Sequence, residues 1–261
     1  MTLPSELVLL ERSAGVATVT LNRPQKLNAM SVAMASQLAA AFAQVAGDSD
    51  LRCVLLKGAG RAFCPGADIG EFGQARASRE EAEKFALHFH SALAAISNCP
   101  LPVIAVIRGA CVGGGLQLAC LCDLRISSEN GRFGIPVNRI GLTVDYEELC
   151  AIYHVIGAPN LLEMLLEGRI LSAAEASRKG LLTRVVADDR LDAEARMTAE
   201  RVADGAPLVN RWHKKFVRRL GSPTPLTPDE IAESFLCFDT RDYQIGYESF
   251  LNKTKPNWEG C

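Results

Sequence analysis

The stretch PVIAVIRGACVGGGLQLACLCDLRI, Pro102–Ile126, decides the fold. Val103 to Ile107 is an unbroken apolar run, the pattern of a strand covered on both faces. Gly113, Gly114 and Gly115 follow, a helix opens over Gly113 to Cys120, and Asp123 to Ser127 returns to strand character. A buried strand, a glycine turn, a helix and another strand describe a parallel βαβ unit. The glycines stand at a helix N-terminus, where backbone N–H groups are unpaired and carry partial positive charge. Without Cβ atoms, that backbone admits close approach by another group. Taken alone, the triplet reads equally well as a tight packing turn.

The same alternation extends toward the N-terminus. Glu6 to Glu11 and Val16 to Leu21 read as strands joined at Gly15 in a hairpin. Ser31 caps a helix through Met34, Leu38 and Phe42 to about Val45. Arg52 to Lys57 is a short buried strand ended by Gly58 and Gly60. Ser78 opens a helix to about Ser97, with Phe85, Phe89 and Leu93 at helical spacing and Pro100 and Pro102 beyond its end. After about Pro159 the pattern becomes helical, over Asn160 to Glu167, Ala173 to Lys179, Leu191 to Asp204 and Ala206 to Leu220. Pro223, Pro225 and Pro228 form a stiff linker before a helix expected to contain Phe235 and Phe238. The chain thus divides into an α/β core over 1–200 and a helical segment over 201–261.

Composition narrows the function. The 261 residues are 48% hydrophobic with a formal net charge of −2, so no long-range positive field recruits nucleic acid. Lys214, Lys215, Arg218 and Arg219 form one local basic helix face, expected to be solvated or to face another subunit. No apolar run approaches the roughly 20 residues of a membrane span, the nearest, Leu101 to Ile107, being broken by Arg108. Met1 to Leu10 lacks the pattern of a secretory signal. Nine cysteines are scattered without zinc spacing, which reads as reduced thiols in a cytoplasmic protein.

Four segments together resemble the crotonase, or enoyl-CoA hydratase/isomerase, superfamily: NRPQKLNAM (Asn22–Met30), AFCPGADIGEF (Ala62–Phe72), the Pro102–Ile126 stretch, and FGIPVNRIGL (Phe133–Leu142). The ending FLNKTKPNW (Phe250–Trp258) looks like that family's C-terminal helix. The resemblance implies a spiral of ββα units with a helical C-terminal trimerisation segment, a homotrimer or dimer of trimers, and an acyl-CoA thioester substrate. Coenzyme A is then part of the substrate, and no metal, redox cofactor, nucleic acid or membrane is implied. Such enzymes stabilise a thioester enolate with two backbone N–H donors, which the resemblance places at Ala67 and Gly114. It places Lys26, Leu27 and Ala29 near the nucleotide, and the Ala67 to Gly70 backbone, with Asp68 and Ile69, along the pantetheine. Phe250 and Lys253 would meet the adenine and phosphate; Lys253 alone reads equally as a solvated surface lysine.

The departures from the family pattern are as informative. Its hydratases use two glutamates, and their positions here hold Gln117 and Val137, which cannot titrate. The run Gly141 to Asp145 resembles the G-x-x-x-D of relatives in which the aspartate is a proton-shuttling base or, in 4-chlorobenzoyl-CoA dehalogenases, a nucleophile. One carboxylate suffices for isomerisation, because the same base can take and return a proton. Asp145 also reads as a helix N-cap before Tyr146, Glu147 and Glu148. His90 falls where the dehalogenases keep a histidine, yet Ala67 and Val137 replace their aromatic cradle, and a packing role is the competing reading. Glu147 and Glu148 are expected as exposed acids at a helix start. The expectation is therefore an enoyl-CoA isomerase-like enzyme with Asp145 as single base and Gln117 as a neutral hydrogen-bonding group. Alternatives are a divergent hydratase, a dehalogenase-like hydrolase using Asp145 and His90, and a non-catalytic acyl-CoA binder.

Overall fold

The computed structural model describes residues 6–71 and 78–261. Met1 to Ser5 of the leader reading, and Phe72 of the second quoted segment, lie outside the described residues. The N-terminal hairpin pairs β1 (Val8–Ser13) with β2 (Val16–Leu21), Val8 opposite Leu21 and Ser13 opposite Val16. Ala14 and Gly15 turn between them with φ of 49° and 76°, the positive-φ pair that suits the twist of a two-residue hairpin. Parallel strands β3 (Cys53–Gly58), β4 (Val103–Ile107), β6 (Leu124–Ser128) and β9 (Arg184–Val186) extend the sheet in the order β1-β2-β3-β4-β6-β9. Every residue of β4 is buried, as its unbroken apolar run requires.

Helices cover the sheet where their apolar stripes dictate. In α1 (Val32–Ala46), Ser31 accepts from the Met34 N–H, and Met34, Leu38, Phe42 and Val45 face the core. In α2 (Arg79–Ser97), Ser78 is the cap and Phe85, Phe89 and Leu93 are buried. Helix α3 (Gly114–Leu121) follows β5 (Ala110–Val112), and a second sheet joins β5 to β7 (Arg132–Gly134) and β8 (Leu171–Ser172). The short strands β5, β7, β8 and β9 escape the sequence pattern because two or three residues hold no periodicity.

Several boundaries differ from expectation. Helix α4 spans Tyr146–Glu167 rather than starting near Asn160. It breaks at Gly157, whose φ is 71°, so Pro159 stands in the first turn after the break, where a missing N–H costs no hydrogen bond. By length and composition alone α4 is apolar enough to cross a membrane, which the sequence reading did not anticipate; Ile152, Ile156, Leu161 and Met164 instead join the core. Helices α5 (Ala173–Arg178), α6 (Leu191–Ala203) and α7 (Pro207–Arg219) follow as expected. Helix α8 (Pro228–Glu233) stops before Phe235 and Phe238, and a 3-10 turn, Leu236–Asp239, contains the latter. Helix α9 (Arg241–Asn252) ends where Lys253 adopts the left-handed region, φ 53°, so residues 254–258 leave the helix that the sequence suggested would continue.

The basic face of α7 is not simply solvated. Lys214 Nζ lies 2.7 Å from Asp123 Oδ2 and donates to the Leu101 carbonyl, and Arg218 reaches Asp123 Oδ1 at 3.0 Å. Lys215 pairs with Glu233 and Arg219 with Glu230. The C-terminal strand of chain is clamped in turn by buried Asp242, which accepts from the Glu259 and Gly260 N–H groups. Six of the nine cysteines are buried free thiols. Burial pushes the Cys64 thiol up to about 12, consistent with its reading as a small hydrophobe.

Two contacts fix the segment Cys64 to Gly70 beside α3. A Cβ on Gly115 would lie 2.1 Å from the Cys64 carbonyl oxygen, so helix and segment touch backbone to backbone. Arg23 then spans the other side, donating to Asp68 Oδ2 at 2.6 Å and to the Ala29 carbonyl, while Asp68 Oδ1 accepts from the Gly70 N–H. Those bonds, the Arg23 guanidinium first, hold the buried Asp68 carboxyl below its ordinary value.

Gly115→Ala should lower stability by about 1–3 kcal/mol or more through overpacking, whereas Gly47→Ala, at a helix end with room for a Cβ, should be near neutral. Thermal denaturation of the two variants measures the contrast. Because folding depresses the Asp68 value, its contribution is complete above the unfolded carboxyl range and is lost as pH falls through the folded value. Denaturant titrations at neutral pH and at about pH 3 should show a smaller acid loss in Asp68→Asn than in the parent chain.

Candidate active site

A cavity of about 940 Å³ opens between the Pro65 to Ile69 loop, α2, the N-terminus of α3 and the start of α4. That volume lies in the range of small-molecule pockets. Its walls are mainly apolar, including Phe85, Phe89, Ile135, Val137, Leu142 and Val144. Ile69, Leu87, Ile140 and Tyr146 stand exposed around it.

Ala67 and Gly114, the two expected N–H donors, both line the cavity. Met30 forms a one-residue parallel bridge with Ala67, donating to the Gly66 carbonyl and accepting from the Asp68 N–H. Successive amides in an extended chain point to opposite sides, so the Ala67 N–H points away from Met30. Gly114 begins α3, and an N–H in a first helical turn has no intrahelical acceptor. The two are neighbours: a Cβ on Gly66 would lie 3.4 Å from the Gly114 nitrogen. The three glycines serve separate purposes, not only the open approach that the sequence suggested. Gly113 has φ 50° and ψ −123°, a conformation foreign to L side chains. A side chain at Gly114 would run into Phe89 Cζ at 2.7 Å, and Gly115 packs on Cys64.

The polar groups of the cavity come from three helices. Asp145 caps α4, its Oδ1 accepting from the Glu148 N–H at 2.9 Å. Its Oδ2 lies 2.8 Å from His90 Nε2, while His90 Nδ1 lies 3.1 Å from Glu147 Oε2. His90 thus stands between two carboxylates. Glu147 and Glu148 are helix-start acids that also line the cavity, Glu147 exposed and Glu148 half-buried. Gln117 is 2% exposed and donates from Nε2 to Glu148 Oε2 at 2.9 Å. Its Oε1 is buried and has no partner among the described residues. His90, Asp145 and Glu148 present ligand atoms within 4.8 Å of one another, a separation that could hold a metal ion, although the bonds just described already engage those side chains.

The remaining sequence candidates separate into two groups. Ala67, Ile69, Gly114, Gln117, Val137, His90 and Asp145 all line the cavity. Lys26, Leu27, Ala29, Asp68, Gly70, Phe250 and Lys253 are not part of that lining. Asp68 is turned to Arg23 rather than to open space. Lys26 closes the 3-10 turn Pro24–Lys26, and Leu27 follows it with φ 53°. Phe250 is 83% exposed on α9. Arg23 was not singled out from the sequence; the long-range pairing with Asp68 that gives it a role leaves no local signal.

Comparison with known proteins places the chain in a family. Residues 11–261 match the sequence profile of enoyl-CoA hydratase/isomerase. A crystal structure of an enoyl-CoA hydratase/carnithine racemase from Magnetospirillum magneticum is 48% identical, with a TM-score of 0.97 and coverage of 98% of this chain and 96% of that one. A probable enoyl-CoA hydratase of Mycobacterium tuberculosis is 32% identical over 256 residues, covering 97% of this chain and 98% of that protein. The (E)-benzylidenesuccinyl-CoA hydratase of Thauera aromatica is 34% identical over 261 residues, covering 97% and 99%. With the family profile matched over residues 11–261 and relatives above 30% identical along almost its whole length, the chain belongs to the enoyl-CoA hydratase/isomerase family, whose members act on acyl-CoA thioesters.

Proposed function

We propose that this protein stabilises a thioester enolate and moves a proton with a single principal base, Asp145, as an enoyl-CoA isomerase does. The observation that carries the reading is the meeting of three features in one apolar cavity: the Ala67 and Gly114 N–H groups, and the Asp145 carboxylate 2.8 Å from His90. The two N–H groups would receive the enolate oxygen, and the water-poor surroundings strengthen those bonds. Asp145 would take a proton from one carbon and return it to another, with His90 orienting the carboxylate. Lys26, Leu27, Ala29 and the Ala67 to Gly70 backbone would carry the coenzyme A portion. Phe250 and Lys253 would meet the nucleotide of a neighbouring copy in a trimer or dimer of trimers. The exposed Phe235, Phe238, Tyr247, Phe250 and Leu251 of the C-terminal segment support such a subunit contact.

A divergent hydratase is the second reading, and one observation favours it. Glu148 reaches Gln117, the position at which hydratases keep a glutamate, at 2.9 Å. Hydration needs both a water-activating base and a proton donor, and Asp145 with Glu148 would supply the pair.

Two variants test these readings. Asp145→Asn keeps an oxygen for the helix cap but cannot accept the proton. It should eliminate the shift of a 3-enoyl-CoA to its 2-enoyl isomer, and deuterium from solvent should enter the product of the parent enzyme. Crotonyl-CoA hydration that survives Asp145→Asn and disappears in Glu148→Gln would replace the isomerase reading with the hydratase one. Gly114→Val should cut turnover by at least about 10², the loss typical of one oxyanion donor, while circular dichroism shows the fold intact. A folded, active Gly114→Val enzyme would move the site elsewhere.

A further inference from the structure

The rim of the cavity carries an inference about the length of the acyl group, resting on the acyl-CoA reading above. Three elements run from the inner wall to the rim, and each presents a large apolar side chain there. Ala82, Ala86 and His90 form the middle of the α2 face toward the cavity, with buried Phe89 on one edge and Leu87, 68% exposed, on the other. The 3-10 turn Pro136–Ile140 leaves buried Ile135 and ends on Ile140, which is 62% exposed. At the start of α4, Val144 lines the wall and Tyr146 is 92% exposed. Large apolar groups gain by leaving water, and three from separate elements around one opening are more than scattered exposure.

The chemistry of the proposed reaction does not use these side chains, and a short acyl group does not reach them all. At about 30 Å³ per carbon, the share of one water in the liquid, a four-carbon acyl group fills roughly 120 Å³ of a cavity of about 940 Å³. The acids beside it are engaged already, Asp145 and Glu147 with His90 and Glu148 with Gln117. We propose that Leu87, Ile140 and Tyr146 are specificity-determining residues for the far end of an aliphatic acyl chain. The preferred ligand is then a medium-chain acyl-CoA, of the octanoyl to decanoyl class, rather than a short-chain ester. The inner wall takes the carbons near the thioester, and the rim takes those beyond. Each methylene fully removed from water strengthens binding about fourfold, so the rim converts chain length into affinity.

The test is calorimetric binding of butyryl-CoA, octanoyl-CoA and decanoyl-CoA, each below its micelle-forming concentration, to the full-length protein. Octanoyl-CoA should bind at least about tenfold more tightly than butyryl-CoA, and decanoyl-CoA at least about twofold more tightly than octanoyl-CoA, allowing for partial burial of each methylene. The double variant Leu87→Ser/Ile140→Ser should bring the decanoyl-to-octanoyl ratio to about one while circular dichroism confirms folding, and Tyr146→Ser should lower it in the same direction. Leu220→Ser removes a leucine that is equally exposed but lies outside the cavity lining, and should leave the ratio as it is. Equal binding of butyryl-CoA and octanoyl-CoA by the parent protein overturns the proposal. So does a decanoyl preference that survives the double variant, or one that Leu220→Ser also abolishes, which would mark general adhesion. A double variant that keeps the preference but changes its elution in size-exclusion chromatography would assign the rim to a contact between copies of the chain instead. Failure of every ester to bind would overturn it differently, by removing the acyl-CoA reading on which it rests.

Discussion

The close backbone contact between α3 and the Cys64 to Ala67 segment is the constraint on which the site depends. Gly115 has no room for a Cβ against the Cys64 carbonyl, so the helix start is pressed onto the segment. That contact brings the Gly114 nitrogen beside Gly66. The surrounding bonds hold the arrangement from three directions. Cys64 bridges Cys111 on β5, Ala67 bridges Met30, and Gly113 donates to the Gly134 carbonyl at the end of β7. Backbone groups held in this way have little freedom to reorganise.

The second requirement is to place ionisable groups in a largely apolar cavity without stranding them. Asp145 meets it by dividing its two oxygens, one on the Glu148 N–H as a helix cap and one on His90. The cap role therefore leaves one carboxylate oxygen for a second contact. The cap bond orients the carboxylate, and the second oxygen remains directed at a titratable partner. Glu147 on the far side of the His90 ring extends this chain to an exposed group. The helix N-terminus also favours negative charge at Asp145, Glu147 and Glu148.

Much of this was legible in the sequence. The unbroken Val103 to Ile107 run, the Ser31 and Ser78 caps, and the Phe85, Phe89 and Leu93 stripe announced their elements because each rests on local chemistry. Ala67 and Gly114 came from the family resemblance, and both residues line the cavity. Long-range pairings were not legible. The Arg23 to Asp68 bond joins positions 45 residues apart, and Lys214 joins α7 to Leu101 across 113 residues. Strands of two or three residues, such as β8, exist only through their partners. The end of α9 was misjudged because Lys253 takes a left-handed backbone that no residue preference of lysine foretells.

Acids reach the cavity from more than one element. A cavity is assembled from several elements, so an acid absent from α3 can be supplied by α4. The neutral side chain at 117 and the acids of 145–148 are best understood together. A glutamate at 117 would stand 2.9 Å from Glu148, and two carboxylates that close cannot both remain ionised without strong mutual repulsion. An amide at 117 removes that conflict and gives Glu148 a donor. Helix α3 thus supplies the cavity with an amide, and the start of α4 supplies the acids Asp145, Glu147 and Glu148, the two elements being joined by the hydrogen bond from Gln117 Nε2 to Glu148 Oε2.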